Sequence, residues 1–404
     1  MDFMLKILYV TRVPTTAVHF VLPLAKRMRE HGHTVEFAFG PGAGLTEMDA
    51  SGFPYTMLSM EKMSRSPANF RVIRQLSEIM RKGQYDVIHT YSPVIGLYGR
   101  LAANKAGRPL VIHSVIGSLL ASGVPYSHRL LFVASELATS HMVDLFITLN
   151  DADAMAMVKY RLASAEKVVS LKYEYGVNLN DFNPEAVDRR ELEEVRTKLG
   201  LKKGTPVIGF VGRMIADKGI LDLFEAYRII RANGVKAKLL YVGDVLTTDK
   251  DQQTFEKLRE LVRKAGFEDD VIFRGAQDNV PLNISLMDVV VHPSHHEGFP
   301  RIPVEAGAMG KPSVCTAVSG AEVAVEQGKT GFIVPIKDPE RLAAAIMKVI
   351  TDFALALSMG EKARQRVLEF FDENKIVDSQ MDIYEKFFMK RKGVAGLSLS
   401  SFTM

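Results

Sequence analysis

Short apolar runs, each followed by an amphipathic stretch of helical length, recur along the whole chain and constrain its fold more than any other feature. In the first half the runs are LKILYVT, HTVEFAFG, YDVIHTY, PLVIHSV and DLFITLN, with amphipathic segments such as residues 18–30 and 70–82 between them. Strand alternating with helix is the signature of a parallel sheet. From 175 to 206 the pattern lapses into GVNLNDFNPEAV and then the charged DRRELEEVRTKLG. It resumes as VIGFVGR, AKLLYVG, DVIFRG, DVVVHPS, PSVCTAV and GFIVPI. The expected fold is α/β, with two doubly wound Rossmann-like domains, 1–175 and 205–372, joined by a linker region 176–204 and facing a central cleft. Open sheets of this kind bind ligands at the carboxyl ends of their strands.

A length of 404 residues with 47% apolar and 24% charged content suits two ordinary cores. The greasiest stretch, residues 130–149, is interrupted by Glu136 and Asp144, so no bilayer span is expected. The first residues, MDFMLKILYVTRVP, read as a strand and not as a signal peptide. A cytoplasmic location, extending to the inner face of the membrane, is the expectation. With Cys315 as its one cysteine the chain can form no internal disulfide and no CxxC zinc spacing. Residues 1–180 carry 19 Lys/Arg against 14 Asp/Glu, and residues 181–404 carry 32 against 33. That bias allows an anionic or membrane-bound partner on the first half, or simply a solvated surface.

Chemistry concentrates in HPSHHEGFPRIPVEAGAMGKP, residues 292–312. It leaves an apolar strand, passes through a loop holding Glu297 and Gly298, and starts a helix near Arg301 that carries Glu305 in its second turn. A helix N-terminus offers unpaired N–H groups and a positive dipole end, which suit a phosphate. His292, His295 and His296 look like a metal cluster by composition but have only Glu297 for carboxylate company, so no metal site is expected. Asp151 and Asp153 match a DxD metal motif superficially, yet their place between strand and helix fits a helix N-cap better. Cys315 reads as a small core residue.

Glu297, seven intervening residues and Glu305 resemble the E-x7-E signature of glycosyltransferase family 4, whose fold is termed GT-B. The order of GRMIADKG at 212–219, YVGD at 241–244, FRG at 273–275, SGAEVA at 319–324 and TGFIVPIKDPERLAAAI at 330–346 supports the resemblance, as do HGHTVEF, YDVIHTYSP and YGVNLNDFNP more weakly. It implies a retaining hexosyltransferase that uses a nucleotide diphosphate sugar, with UDP-linked hexose or N-acetylhexosamine the leading donor, and that needs no metal or other cofactor. Arg213 and Lys218 match the basic pair that grips the donor diphosphate. Glu297 would contact hydroxyls of the transferred sugar and act with that pair in catalysis. Gly298, Phe299 and Pro300 would line sugar and β-phosphate, and Glu305 would hold the ribose hydroxyls. Gly212, Gly243, Arg274 and Arg301 complete the expected donor site. Helix 375–390 is expected to pack back on the first domain.

The first domain departs from the family pattern. Where many relatives have a glycine pair after the first strand, this chain has Thr11, Arg12, Val13, Pro14, Thr15 and Thr16. Arg12 suits either a phosphate contact or an exposed loop. The stretch HFVLPLAKRMREHGHTVEF resembles bacterial members that extend lipid-linked or surface oligosaccharides, which makes His19 an acceptor-side candidate as it begins the next helix. Gly117 and His89 are the others, His89 suiting an acceptor contact or a satisfied core histidine equally. His113 lies inside a buried strand and matches poorly. Met60, Met63, Phe70 and Ile73 interleave with Lys62, Arg65, Arg71 and Arg74, a pattern that suits contact with an anionic membrane or the core stripe Phe70, Ile73, Leu76 and Met80. The expected partners are a donor and a saccharide or lipid-linked acceptor. Nucleic acid is not expected, since the chain has no Trp and no basic-aromatic pattern. Rival readings are a nucleotide-sugar 2-epimerase on the same fold, a non-catalytic nucleotide-sugar-binding subunit, and an NAD-dependent oxidoreductase, against which stands the lack of GxGxxG after any strand.

Overall fold

A computed structural model describes residues 4–60, 70–115, 126–148, 151–171, 175–246, 249 and 251–391. The chain divides into two compact units, one of Met1–Glu174 with Asn374–Met404, the other of Tyr175–Glu373.

Unit 1 holds a seven-stranded sheet of β1 (Lys6–Thr11), β2 (Thr34–Phe39), β3 (Tyr55–Met57), β4 (Val87–Tyr91), β5 (Leu110–Val115), β6 (Leu145–Thr148) and β7 (Val168–Ser170), in the order β3-β2-β1-β4-β5-β6-β7. Every pairing is parallel. Tyr9 of β1 lies opposite Phe37 of β2 and His89 of β4, which fixes the register of the central strands. Each face of the sheet has its own core. Leu8, Val10, Ile88, Val111 and Phe146 meet Val72, Ile73, Leu76 and Met80 of helix Phe70–Gly83 on one side. Ile7, Tyr9, Phe37 and Phe39 meet Leu24 and Met28 on the other, together with Val377, Met381 and Tyr384 of the last helix, Glu373–Arg391. Arg27 adds an ion pair to Asp378 at 2.8 Å.

Three sequence expectations change here. The helical region after β1 starts at Pro14, before His19, and runs as Pro14–Thr16, a π turn Ala17–Val21 and Leu22–Glu30. Pro23 has no N–H for the carbonyl one turn earlier, and the wider turn before it accommodates the missing bond. Phe70 is 63% exposed, so Val72 and not Phe70 joins Ile73, Leu76 and Met80 in the buried stripe. Met63, Lys62 and Arg65 lie outside the described residues, as does Gly117. Asp151 and Asp153 stand inside the first turn of helix Asp151–Lys159, where acidic groups complement the dipole.

Glu136, which breaks the apolar run at 130–149, is buried. Its carboxylate takes Arg100 Nη1 at 2.8 Å and Nη2 at 3.0 Å, and Arg100 is itself fully buried.

Unit 2 holds β8 (Val207–Val211), β9 (Lys238–Val242), β10 (Val271–Phe273), β11 (Val289–His292), β12 (Ser313–Thr316) and β13 (Gly331–Val334), all parallel, in the order β10-β9-β8-β11-β12-β13. Cys315 is buried in β12. The stretch 176–204, expected as a linker, folds into this unit. Asp188 caps helix Arg189–Lys198 by accepting from the N–H groups of Arg190 and Glu191, and Leu192, Val195 and Leu199 pack against Leu201 and Met309. Val177 pairs with Asp372. Among the described residues no single helix is long and apolar enough to cross a membrane.

Candidate active site

The carboxyl ends of β8 and β11 open into a pocket of about 370 Å³ within unit 2, in the size range of small-molecule sites. Of the expected residues, Gly212, Lys218, Glu297, Phe299, Arg301 and Glu305 line it. Arg213, Gly243, Arg274, Gly298 and Pro300 stand in the same or adjoining loops.

Backbone shape comes first. Gly243, at φ +135°, approaches Gly212 so closely that a Cβ would fall 1.9 Å from the Gly212 carbonyl oxygen, and its N–H donates to Gly275 O at 2.8 Å. Gly219, at φ +66°, ends the short turn Ala216–Lys218 against the Pro293 carbonyl, where no side chain fits. Asp251 accepts from the Ala216 N–H at 2.7 Å and holds the start of that turn. Lys218 is thereby presented to the loop after β11.

The ammonium of Lys218 meets Glu297 Oε1 with both side chains about 15% exposed, 16% and 14%. The same oxygen takes His292 Nε2 at 3.0 Å and Ser294 Oγ at 2.8 Å. Burial alone would raise this carboxyl, but the hydrogen bonds and charges of His292 and Lys218 outweigh it and hold Glu297 down to about 2. It is therefore ionised at neutral pH, and its second oxygen, Oε2, takes no hydrogen bond from the described residues.

Glu305 repeats the arrangement at the helix Arg301–Ala308. It is 4% exposed, and its Oε1 accepts from Tyr175 Oη at 2.8 Å and Arg301 Nη2 at 3.2 Å. The Arg301 guanidinium lies over the Tyr175 ring, 4.5 Å from its centroid, and Phe299 packs against the same ring at 5.9 Å. Oε2 of Glu305 likewise takes no hydrogen bond from the described residues. Pro300 precedes the helix as its N-cap residue and Pro303 sits in its first turn, where a missing N–H costs little.

Arg213 directly follows Gly212, but its guanidinium is turned to Asp249 at 2.5 Å and is 45% exposed. Arg274 follows β10, and burial lowers its pKa. His295 pairs with Asp222 at 2.6 Å while His292 pairs with Glu297, so the histidines of this loop diverge. Among the described residues no three His, Cys, Asp or Glu side chains are grouped to hold a metal ion.

Tyr175 and Ser294 were not expected from sequence. Ser294 stands three residues before Glu297, a spacing that hints at the bond, whereas nothing in the sequence links positions 175 and 305.

The acceptor-side candidates belong to unit 1. Arg12 is exposed in the loop after β1 and His19 is exposed on the π turn. His89 is corrected to a core residue. It sits in the middle of β4, 1% exposed, with Nδ1 bonded to Tyr384 Oη and Nε2 to Ser114 Oγ at 3.0 Å. Burial pushes it down to about 3, so it stays neutral. His113 is likewise buried, sharing a hydrogen bond with Thr90 Oγ1 at 2.8 Å.

Comparison with known proteins agrees with this geometry. The profile "Glycosyl transferases group 1" matches residues 191–366 and "Glycosyl transferase 4-like domain" matches residues 15–173. The capsular polysaccharide biosynthesis glycosyltransferase CapM of Staphylococcus aureus is 28% identical over 82% of this chain and 85% of its own length. A UDP-Gal:alpha-D-GlcNAc-diphosphoundecaprenol alpha-1,3-galactosyltransferase of Escherichia coli is 28% identical over 76% and 77%. A D-inositol 3-phosphate glycosyltransferase of Streptomyces scabiei is 30% identical over 80% and 71%. The crystal structure of Anabaena HepE in complex with UDP-glucose superposes with a TM-score of 0.78 at 21% identity, covering 94% of this chain and 99% of that one. With two parallel-sheet units of the GT-B type and relatives of this kind, the chain belongs to the group 1, family 4-like glycosyltransferases and is a glycosyltransferase.

Proposed function

We propose that this glycosyltransferase moves a hexose or N-acetylhexosamine from a UDP-sugar to a saccharide or lipid-linked acceptor, with retention of anomeric configuration and without a metal ion. The carrying observation is that Glu297 and Glu305 each have one oxygen filled by the protein and a second that takes no hydrogen bond from the described residues, with Lys218 beside the first, in one pocket.

An ionised carboxylate only accepts hydrogen bonds. Oε2 of Glu305 suits the ribose hydroxyls, and Oε2 of Glu297 suits hydroxyls of the transferred sugar. The diphosphate then falls near Lys218 and the start of helix Arg301–Ala308. Negative charge grows on the diphosphate as the glycosidic bond breaks, and a fixed cation about 4 Å away contributes roughly 4 kcal/mol at an effective dielectric of ~20. Arg213 would join it by exchanging Asp249 for phosphate. The acceptor hydroxyl attacks from the face the diphosphate leaves, and a phosphate oxygen takes its proton. The names of the relatives, two of which concern capsular polysaccharide and a diphosphoundecaprenol-linked sugar, support a surface-polysaccharide role at a membrane-borne acceptor.

The test is a panel of UDP- and GDP-sugars with a lipid-diphosphate-linked saccharide, run in EDTA, with the anomeric configuration of the product read by NMR. An α-linked product from an α-UDP-sugar is expected. Inversion, or turnover only with GDP-sugars, would overturn the reading.

A further inference from the structure

A second pocket, of about 380 Å³, opens at the opposite edge of the unit 2 sheet. Pro206, Asp288 and Pro312, which stand one residue before β8, β11 and β12, belong to its wall. Because the strands are parallel, it lies a strand length of roughly 15 Å from the pocket that holds Glu297 and Glu305. It has no part in the transfer chemistry described above.

Its two sides differ in chemistry. One is apolar, with Val349 and Ile350 ending helix Pro339–Ile350 and Phe353, Ala356 and Leu357 starting helix Phe353–Phe370. Phe353 is 81% exposed and Leu357 54%, and their spacing of four puts them on one face. The other side carries Lys311 and Arg196. Lys311 and Arg196 line the same pocket, and burial lowers the pKa of Lys311 against the opposing charge of Asp288, with the charge of Arg196 adding to the lowering. Among the described residues Lys311 Nζ makes one hydrogen bond, to the Ser285 carbonyl at 3.3 Å, and neither cation has a carboxylate within ion-pair distance. Asp288, the acid on the wall, already accepts from the Val207 N–H at 2.8 Å through Oδ2. Two cations against the one carboxylate leave the lining a single net positive charge beside an open apolar wall.

We propose that this pocket binds a small amphipathic anion. Its phosphate or carboxylate head meets Lys311 and Arg196, and its acyl or aromatic tail lies on Val349, Phe353 and Leu357. A cation near a buried wall and short of acceptors gains more from an anion than one free in solvent. The competing role for Lys311 is structural, as a cap on the last carbonyl of helix Val280–Ser285.

The chain contains no tryptophan, so Phe353→Trp places a single fluorescent reporter on the pocket rim. The probe is octyl phosphate below its micellar concentration, with octanol, inorganic phosphate and anionic phospholipid vesicles as separate arms. A saturable emission shift is expected with octyl phosphate, and about tenfold weaker responses to octanol and to inorganic phosphate. Lys311→Met in the reporter background lowers the affinity about tenfold, and Arg196→Ala about three- to tenfold, while UDP binding is unchanged in both. Arg196 decides alone if Lys311→Met does not fold. Octanol binding as well as octyl phosphate, equal binding of inorganic phosphate, a response to vesicles alone, or indifference to both substitutions would each overturn the proposal.

Discussion

Tyr175 Oη donates to Glu305 Oε1 at 2.8 Å, joining the first residue of unit 2 to the second turn of a helix 130 positions later. Arg301 bonds the same oxygen and stacks on the tyrosine ring. The three side chains decide which carboxylate oxygen of Glu305 is presented to the pocket.

Tyr175→Phe keeps the ring and removes that bond. One hydrogen bond is worth about 1 kcal/mol, so UDP should bind about fivefold more weakly by calorimetry, with little loss of thermal stability. Unchanged affinity would mean that Arg301 holds Glu305 unaided.

Glu297 gives the molecule an acid-side signature. Its folded pKa, about 2, lies below its ordinary value of 4.5 because the hydrogen bonds and charges of His292 and Lys218 overcome burial. A depressed carboxylate stabilises the fold above its unfolded pKa, and that contribution is lost as pH falls through the folded value. Between about pH 5 and 2 wild type should lose on the order of 3 kcal/mol from this group, a slope that Glu297→Gln lacks. Urea titrations of both proteins across that range check it, and parallel slopes would refute it.

Lys218 ties the first of the two carboxylates to the expected position of the diphosphate. Lys218→Met removes a cation whose value grows as the bond to the leaving group breaks, so kcat should fall by about a hundredfold or more with a smaller change in KM. An equal rise in KM with kcat intact would make Lys218 a ground-state contact only.

The buried Arg100–Glu136 pair is a matter of stability. Glu136→Gln leaves a guanidinium uncompensated inside unit 1 and should cost about 3–5 kcal/mol, whereas Arg100→Met with Glu136→Leu should recover most of that loss. Chemical denaturation of the three proteins gives the answer. If the single and double variants lose equally, packing and not charge dominates there.

Much of this was legible in the chain. The eleven strands read from sequence all form, because runs such as LKILYVT and DVVVHPS are buried on both faces and so carry a strong signal. β3 and β7 are not legible in the sequence because three-residue edge strands, YTM and VVS, are too short to show a period. The loop from Glu297 into helix Arg301–Ala308 was readable as local chemistry. Tyr175 was not, since its role arises only when the unit closes on itself. His89 was ambiguous because strand position fixes neither exposure nor partners. Its two hydrogen bonds come from β5 and from the last helix, far away in the chain.

The central claim is that unit 2 holds a nucleoside diphosphate with its own cations, helix N-terminus and carboxylates. Calorimetric titration of the full chain with UDP, in EDTA and again in excess Mg²⁺, tests it most directly, with Glu305→Ala alongside. The same Kd is expected under both conditions for wild type, with a loss of binding of about a hundredfold or more for Glu305→Ala. Binding that needs the divalent ion, or that survives Glu305→Ala unchanged, would contradict it.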